Sequence, residues 1–385
     1  MDDIRKKIDY VLKHNITVQL IYKKVMSVIF RFIGLFVRTD DKLILFSGHG
    51  RKYNDSPRSI YEYMISRDEY KDFKYVWALE EPDKVEIPKG IKIKADTMKY
   101  FITALKSKYW ITCVNIERGL HFKKKNTIFL NTWHGTPLKL IGNAVSGRKD
   151  FDFSNTDIFC YAGEYEREIY KRDFNVLEEN LLLSGLPRND ELYHVSNDKI
   201  KRYKELLNIP ENKKVILYAP TWRDSTDNGR SYSIKPPIDM HYWQNELQNE
   251  YVLLLRTHSY TNNLLGIGFN EFVRDFSAYP EINHLLIIAD ILISDYSATI
   301  FDYSILERPI ICFGYDYDEY TADRGFYINL ERELPGGVIK SQKTVVEKIK
   351  NFDYQHECQK TSKFKNRYLE AGGNATEMCV EKLIR

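Results

Sequence analysis

From Leu43 onward, short apolar runs alternate with amphipathic stretches along the chain. The runs Leu43–Ser47, Tyr75–Leu79, Ile91–Lys94, Trp110–Val114, Thr127–Asn131 and Leu181–Ser184 have strand length and end in turn residues. Segments between them, such as Ser56–Ile65 and Thr97–Ser107, carry helical periodicity. A second series follows at Val215–Ala219, Val252–Leu255, Ile291–Ser294 and Ile310–Phe313. Buried runs separated by helices are the pattern of parallel α/β sheets. Two such series predict two doubly wound, Rossmann-type domains facing a cleft. The expected domains span residues 39–192 and 193–345, with the polar stretch Tyr193–Lys204 as the linker. Residues 346–385 are read as helices that pack back across the domains, with a turn at Ala371–Asn374 before the last.

Residues 1–38 have a different texture. Apolar residues dominate from Ile16, but Lys23, Lys24 and Arg31 interrupt them. No uncharged apolar run approaches the roughly 20 residues that a spanning helix needs. Basic residues beside Phe30, Phe32, Ile33, Leu35 and Phe36 predict an amphipathic helix. It either lies in a membrane interface or packs on the first domain.

Composition narrows the function classes. Hydrophobic residues at 43% and charged residues at 29% describe an ordinary folded chain. The net charge of +3 gives no sign of a nucleic-acid partner. The five cysteines are scattered, with no metal-ligand spacing, and read as reduced thiols. Walker and dinucleotide glycine patterns are both lacking. Asp150-Phe-Asp152 and Asp316-Tyr-Asp318 are DxD-like and compatible with a divalent metal. Patterns this short arise by chance, and we read both as solvated loops. No cofactor is indicated.

Polar, reactive residues gather just after four of the expected strands, where open α/β sheets bind ligands. The first cluster is Trp133-His134-Gly135-Thr136-Pro-Leu-Lys139. His134 suits a general base, Gly135 suits close backbone approach, and Thr136-Pro137 suits a helix start. The second is Tyr218-Ala-Pro-Thr221-Trp-Arg223, whose arginine fork matches phosphate oxygens. The third is Arg256-Thr-His258-Ser, read as a diphosphate clamp. The fourth, Ser294-Asp295-Tyr-Ser297-Ala298-Thr299 followed by Ile-Phe-Asp302, places hydroxyls and backbone N–H groups at a helix start, an arrangement that suits phosphate. Each cluster also has a plain structural reading as a loop hydrogen bond, ion pair or cap. Together they favour a diphosphate substrate shared between two domains.

WHGTPLK, YAPTWR, RTHS and SDYSATIFDYSILERPIICF, in this order, resemble the CDP-glycerol glycerophosphotransferase family of wall teichoic acid synthesis. Arg324-Gly-Phe-Tyr327 resembles it as well, and the likeness runs from about Leu43 to Phe326. The resemblance implies a GT-B-like pair of domains and transfer of glycerol phosphate from CDP-glycerol, releasing CMP. It implies an undecaprenyl-diphosphate-linked disaccharide acceptor and peripheral attachment at the cytoplasmic face of an anionic membrane. His134 and His258 then fall where the family's catalytic histidines stand. Arg223, Thr221, Arg256, Ser294, Asp295, Ser297, Ala298 and Thr299 fall on the donor side. Trp133, Gly135, Thr136 and Lys139 fall on the acceptor or cleft side. The chain length resembles the primase, or a short enzyme adding a later glycerol- or ribitol-phosphate unit. A GT-B glycosyltransferase using a UDP-sugar, and a non-catalytic nucleotide- or lipid-binding protein, are the rival readings.

Overall fold

The structure, a computed structural model, describes residues 15–149, 151–221, 237–257, 268–351 and 353–384. It contains two parallel sheets. The first takes β1 (Asp40–Ser47), β2 (Lys74–Leu79), β3 (Ile91–Lys94), β4 (Ser107–Thr112), β5 (Ile128–Asn131), β6 (Ile158–Tyr161) and β7 (Leu181–Leu183) in the order β3-β2-β1-β4-β5-β6-β7. The second takes β8 (Lys214–Ala219), β9 (Tyr251–Leu255), β10 (Val273–Asp275), β11 (Ile291–Ser294), β12 (Ile310–Phe313) and β13 (Val338–Ile339) in the order β10-β9-β8-β11-β12-β13. Each sheet starts in its middle, runs outward one way, then returns and runs the other way. The direction reverses between β1 and β4 in the first sheet and between β8 and β11 in the second.

Strand alternation explains the continuous apolar runs. Ile44, Phe46 and Trp77 enter a core on one face of the first sheet, while Leu45, Val76 and Trp110 enter another on the opposite face. Val215, Leu217 and Leu254 face one core of the second sheet, and Ile216, Tyr218 and Leu253 the other. Sheets buried on both faces need apolar residues at every position.

Three short strands, β6, β10 and β13, were not expected. With two to four residues each, they carry too few positions to show a period. The fourth strand ends at Thr112, so Cys113 and Val114 lie beyond the sheet. The stretch expected as a linker is helical over Asn197–Leu206, started by Ser196 accepting from the Lys199 N–H at 3.2 Å. The helix expected after Thr136-Pro137 does not form. Instead Lys139 bridges antiparallel to Phe326, the Tyr327 N–H donates to the Leu138 carbonyl at 3.0 Å, and the Leu140 N–H donates to the Gly325 carbonyl at 3.2 Å. A turn of helix would have consumed the same backbone groups internally.

Helix α1 (Ile16–Phe36) starts on an Asn15 cap and lies on the first domain. Phe30 is buried, with its ring 4.6 Å from Phe101, and Arg31 Nε donates to the His121 carbonyl at 2.7 Å. The chain's last helix, Ala375–Ile384, inserts Cys379, Val380 and Leu383 into the core of the first domain. The helix before it, Tyr354–Tyr368, packs Phe364 on Phe301 of the second, with rings 5.1 Å apart. Between them, the Glu370 and Ala371 N–H groups donate to the Ala162 carbonyl at 2.7 and 3.0 Å. The polypeptide therefore crosses between the two domains twice.

Side chains tie the domains as well. Arg188, after β7, donates to Asp55 Oδ2 at 2.9 Å, to Asp302 Oδ2 at 2.7 Å and to the His134 carbonyl at 2.8 Å. Asn189 Nδ2 donates to the other oxygen of Asp302 at 2.6 Å, and Asn283 of the second domain donates to the Arg188 carbonyl at 2.7 Å. Only 16% of the Arg188 side chain is exposed. Burial alone would raise the pKa of Asp55, but Arg188 and the Ser56 N–H outweigh it and the net shift is downward. At Asp302 burial wins over Arg188 and Asn189, and the shift is upward.

Glu166, on the helix Glu164–Phe174, is fully buried beneath the same loop. One carboxylate oxygen accepts from the Ala162 N–H. The other has no partner of good geometry and faces the Thr136 side chain. Burial raises its pKa to about 7.

Removing one partner of a largely buried ion pair leaves the others uncompensated. Arg188→Met should lower stability by about 3 kcal/mol, read as a reduced denaturation midpoint at unchanged slope. A loss below about 0.5 kcal/mol, the scale of an ordinary surface change, would show that the bridge holds nothing. At Glu166 the folded state holds its proton more tightly than the unfolded chain does. Stability therefore falls as pH rises from the unfolded value toward about 7. Glu166→Gln should melt higher than the parent at about pH 8 and show a smaller difference at about pH 5. Equal shifts at both pH values would rule out a buried titration.

Candidate active site

The first sheet changes direction between β1 and β4, which stay paired to their last residues, Ser47 and Thr112, and the chain leaves these two ends to opposite sides, the usual ligand position in a doubly wound sheet. His134 stands over it. The Trp133-His134-Gly135 turn leaves β5 with Trp133 at φ 53° and Gly135 at φ 145°. A Cβ on Gly135 would lie 2.9 Å from the Cβ of Ala298. Both the backbone angle and the contact require glycine, and the contact joins the first and fourth clusters across the domains.

His134 Nδ1 lies 2.8 Å from the Cys113 carbonyl, just past β4. A carbonyl only accepts, so the neutral ring carries its proton on Nδ1. The lone pair is left on Nε2. The ring stacks on Trp133 at 4.1 Å between centroids and meets the His49 ring at 4.7 Å. Trp133 is anchored from below by Phe174 at 4.6 Å. Burial lowers the pKa of His134 to about 4, with His49 adding to the effect and the Cys113 bond and Asp55 opposing it. Burial likewise lowers His49 and raises the Cys113 thiol well above its usual range. Cys113 is thus an inert thiol whose carbonyl does the orienting.

The second sheet changes direction between β8 and β11, where the second and fourth clusters meet. Asp295 Oδ1 accepts from the Thr221 N–H at 2.7 Å, from the Thr221 hydroxyl at 2.5 Å, and from the Tyr296 N–H at 2.6 Å. Ser294 donates to the Ala219 carbonyl at 2.7 Å. These bonds fix the loop and leave Ser297, Ala298 and Thr299 partly exposed at the start of the helix Thr299–Ser304. Ser297 Oγ accepts from the Thr299 N–H at 3.2 Å, while Ala298 occupies the cap position. Asp302 faces Arg188 from this helix.

Other candidate residues are placed differently. Thr136 is buried against Glu166. Lys139 reaches toward Tyr320, with its Nζ 5.9 Å from the ring centre. Arg256 donates to the carbonyls of Tyr279 and Phe276 at 2.5 and 3.4 Å, so its fork closes the loop after β10. It lines a cavity of about 780 Å³ with Arg58, Arg188, Glu281 and His284. Arg223 and His258 lie outside the described residues, as does Asp150. Among the described residues no three His, Cys, Asp or Glu side chains converge on a metal position.

Sequence reasoning missed Arg188, His49 and Asp55. Arg188 and His49 each follow a strand, in Gly185-Leu-Pro-Arg188-Asn-Asp and in Ser47-Gly-His49-Gly-Arg51, whereas Asp55 opens the helix Asp55–Ile65. The strand-end rule that found the other four clusters reaches these two as well.

The family model described as CDP-Glycerol:Poly(glycerophosphate) glycerophosphotransferase matches residues 29–384. A teichoic acid poly(glycerol phosphate) polymerase of Staphylococcus epidermidis is 34% identical over 366 residues, covering 89% of this chain. This chain spans 50% of that polymerase's length. A polymerase of the same name from Bacillus spizizenii is 32% identical, with 94% of this chain and 96% of the relative covered. A solved structure of the wall teichoic acid polymerase TagF, a histidine-to-asparagine variant soaked with CDPG, superposes at TM-score 0.82 with 32% identity. The superposition covers 98% of this chain and 97% of that one. The chain therefore belongs to the CDP-glycerol:poly(glycerophosphate) glycerophosphotransferase family and is an enzyme of that kind.

Proposed function

We propose that this chain transfers glycerol phosphate from CDP-glycerol to a hydroxyl of a lipid-linked acceptor, in a GT-B-like cleft. The carrying observation is His134, whose Nδ1 is tied to the Cys113 carbonyl so that the Nε2 lone pair is free at the crevice of the first sheet. The acceptor hydroxyl attacks the phosphorus that bears the glycerol. A new P–O bond forms, the bond to the CMP oxygen breaks, and the hydroxyl proton passes to His134 Nε2. CMP leaves with the bonding electron pair. Ser297, Ala298 and Thr299 face this centre from the second domain, and their N–H groups and hydroxyls suit the donor phosphates. Arg223 and His258 are assigned to the same donor phosphates through the resemblance of their motifs. Phosphoryl transfer depends mainly on positioning and charge, and these groups contribute to both.

The acceptor's lipid would be met by α1. Its outward face exposes Leu20, Ile21, Val25, Phe32, Leu35 and Phe36, the last two at 78% and 76%. Lys23, Lys24 and Arg31 lie on the same helix, and Lys123, Lys124 and Lys125 follow His121, which holds Arg31. Exposed apolar residues beside basic ones suit the interface of an anionic bilayer. No described helix is long and apolar enough to cross a membrane. Contact through α1 accords with the peripheral position at the cytoplasmic membrane face that the family resemblance implies.

His134→Ala should keep the fold and lose turnover by about 10²–10⁴-fold, the usual contribution of a general base. CMP release from CDP-glycerol in the presence of acceptor is the assay, and near-parental release would reject the assignment. The lowered pKa of His134 keeps Nε2 unprotonated at mildly acidic pH. Its acid limb in the turnover profile should therefore fall near pH 4 rather than 6.5. Replacing Phe32, Leu35 and Phe36 together by Ser should cut partitioning onto anionic vesicles by about tenfold or more, since each buried side chain contributes about 1.5–3 kcal/mol. Unchanged partitioning would leave α1 as a purely structural element.

A further inference from the structure

A second polar cluster lies beside the histidine pair and is not used by the chemistry above. Arg51 follows β1, Asp96 follows β3, and Arg118 follows β4. Asp96 pairs with both arginines, with Arg51 Nη2 at 2.5 Å and with Arg118 Nε at 2.8 Å. Arg118 Nη2 reaches Ser47 Oγ at 3.5 Å, and its guanidinium lies over the Tyr100 ring. Two guanidinium groups therefore share a single carboxylate. The Nε of Arg51 is buried and has no hydrogen-bond partner. Glu80 and Glu81 line a neighbouring cavity together with Arg51, the Glu80 N–H donates to the Arg51 carbonyl at 2.9 Å, and Glu81 is paired with Lys84 at 2.7 Å.

All three members of the cluster adopt positive φ, 57° at Arg51, 59° at Asp96 and 55° at Arg118. Non-glycine residues rarely take this conformation. Here three separate loops do so and aim their side chains at one place. Position in the sheet gives that place a meaning. His134 leaves β5 and leans over the ends of β4 and β1, where it meets Cys113 and His49. The cluster continues in the same direction, over β1, β4 and β3, and Arg51 shares its short helical turn with His49. Donor groups occupy the second domain. An acceptor whose hydroxyl reaches His134 has its remaining length over the first domain, along this line.

We propose that Arg51 and Arg118 form an anion subsite that binds a phosphate group of the acceptor, set back from the attacking hydroxyl. The inference rests on the transfer reaction proposed above and extends it to the acceptor's chemistry. That phosphate belongs either to a polyol-phosphate unit already attached or to the diphosphate of the lipid carrier. In both cases the site offers two partly exposed guanidinium groups that share one carboxylate, and so a positive charge in excess of it.

The full-length chain is assayed for CMP release from CDP-glycerol with three acceptors. These are a phosphate-free disaccharide glycoside, the same glycoside bearing one glycerol phosphate, and the same disaccharide on a short-chain lipid diphosphate. Arg51→Gln and Arg118→Gln should raise the KM of one phosphate-bearing acceptor roughly tenfold, the loss expected of one charge-assisted hydrogen bond. The KM for CDP-glycerol and that for the phosphate-free acceptor should stay as in the parent. Arg51→Lys should recover much of the loss, since it keeps the charge. The affected acceptor identifies the source of the phosphate. Arg118 packs on Tyr100, so Arg51→Gln decides the matter if Arg118→Gln fails to fold. Equal KM changes on all three acceptors, or none on any, would overturn the subsite while leaving the transfer reading intact. Absence of CMP release by the parent with every acceptor would overturn both.

Discussion

A single guanidinium fixes where the two halves of the site meet. Arg188 binds Asp55 of the first domain, Asp302 of the second and the carbonyl of His134 itself. The planar, permanently charged fork suits this task, because it addresses three acceptors in fixed directions. A lysine offers the charge without the geometry. Desolvating the group is costly, and two carboxylates offset that cost only while both domains are in place. Gly135 meeting Ala298 depends on the same docking, since a shift of a few tenths of an ångström would open or crush the contact. The distance from His134 to the Ser297–Thr299 loop is thus set by a polar clasp, with the apolar cores supplying the rigid bodies that it joins.

The histidine at the centre is made weak on purpose of position. Burial lowers the basicity of His134, and the neighbouring His49 lowers it further. A base with a pKa near 4 accepts a proton less readily than free imidazole does. It is also unprotonated throughout the neutral range and always carries the right tautomer. Catalysis of phosphoryl transfer is mostly positioning and electrostatic stabilisation, so orientation counts for more than proton affinity. The Cys113 carbonyl, the Trp133 stack and the clasp on the His134 backbone all serve orientation.

Much of this was legible in the residues. Apolar runs of strand length gave both sheets, because parallel strands covered on two faces have no polar positions to blur them. Clusters at strand ends located Trp133-His134-Gly135, Thr221 and Ser294 to Thr299. What escaped has definite physical causes. β6, β10 and β13 are too short to establish a period. Thr136-Pro137 has the chemistry of a helix start, but residues 138–140 pair with 325–327 instead, a partner nearly two hundred positions away. Arg188 carries only the signal of an arginine shortly after a strand, and its role depends on three partners from three distant segments. His49 carries a signal of the usual kind, a histidine between glycines after an apolar run, and becomes informative only when its ring is found against that of His134.

The connections between the domains bear on how the reaction is timed. The chain crosses at the end of the first domain and returns at Glu370 and Ala371, which hang from the Ala162 carbonyl. Residues 325–327 of the second domain lie along 138–140 of the first, and Tyr327 donates to Asp173 at 2.9 Å. Arg58 pairs with Glu281 across the cleft. Opening the cleft by a wide hinge would break the clasp, the backbone pairing and this ion pair together. Such a motion exposes buried charges and strands backbone groups, each a penalty of about 1–3 kcal/mol. The architecture therefore favours a site in which His134 and the Ser297–Thr299 loop are assembled before substrate arrives. On the proposed reaction, binding energy is then left to position the acceptor over the strand ends of the first sheet, where attack must be aligned with the departing CMP.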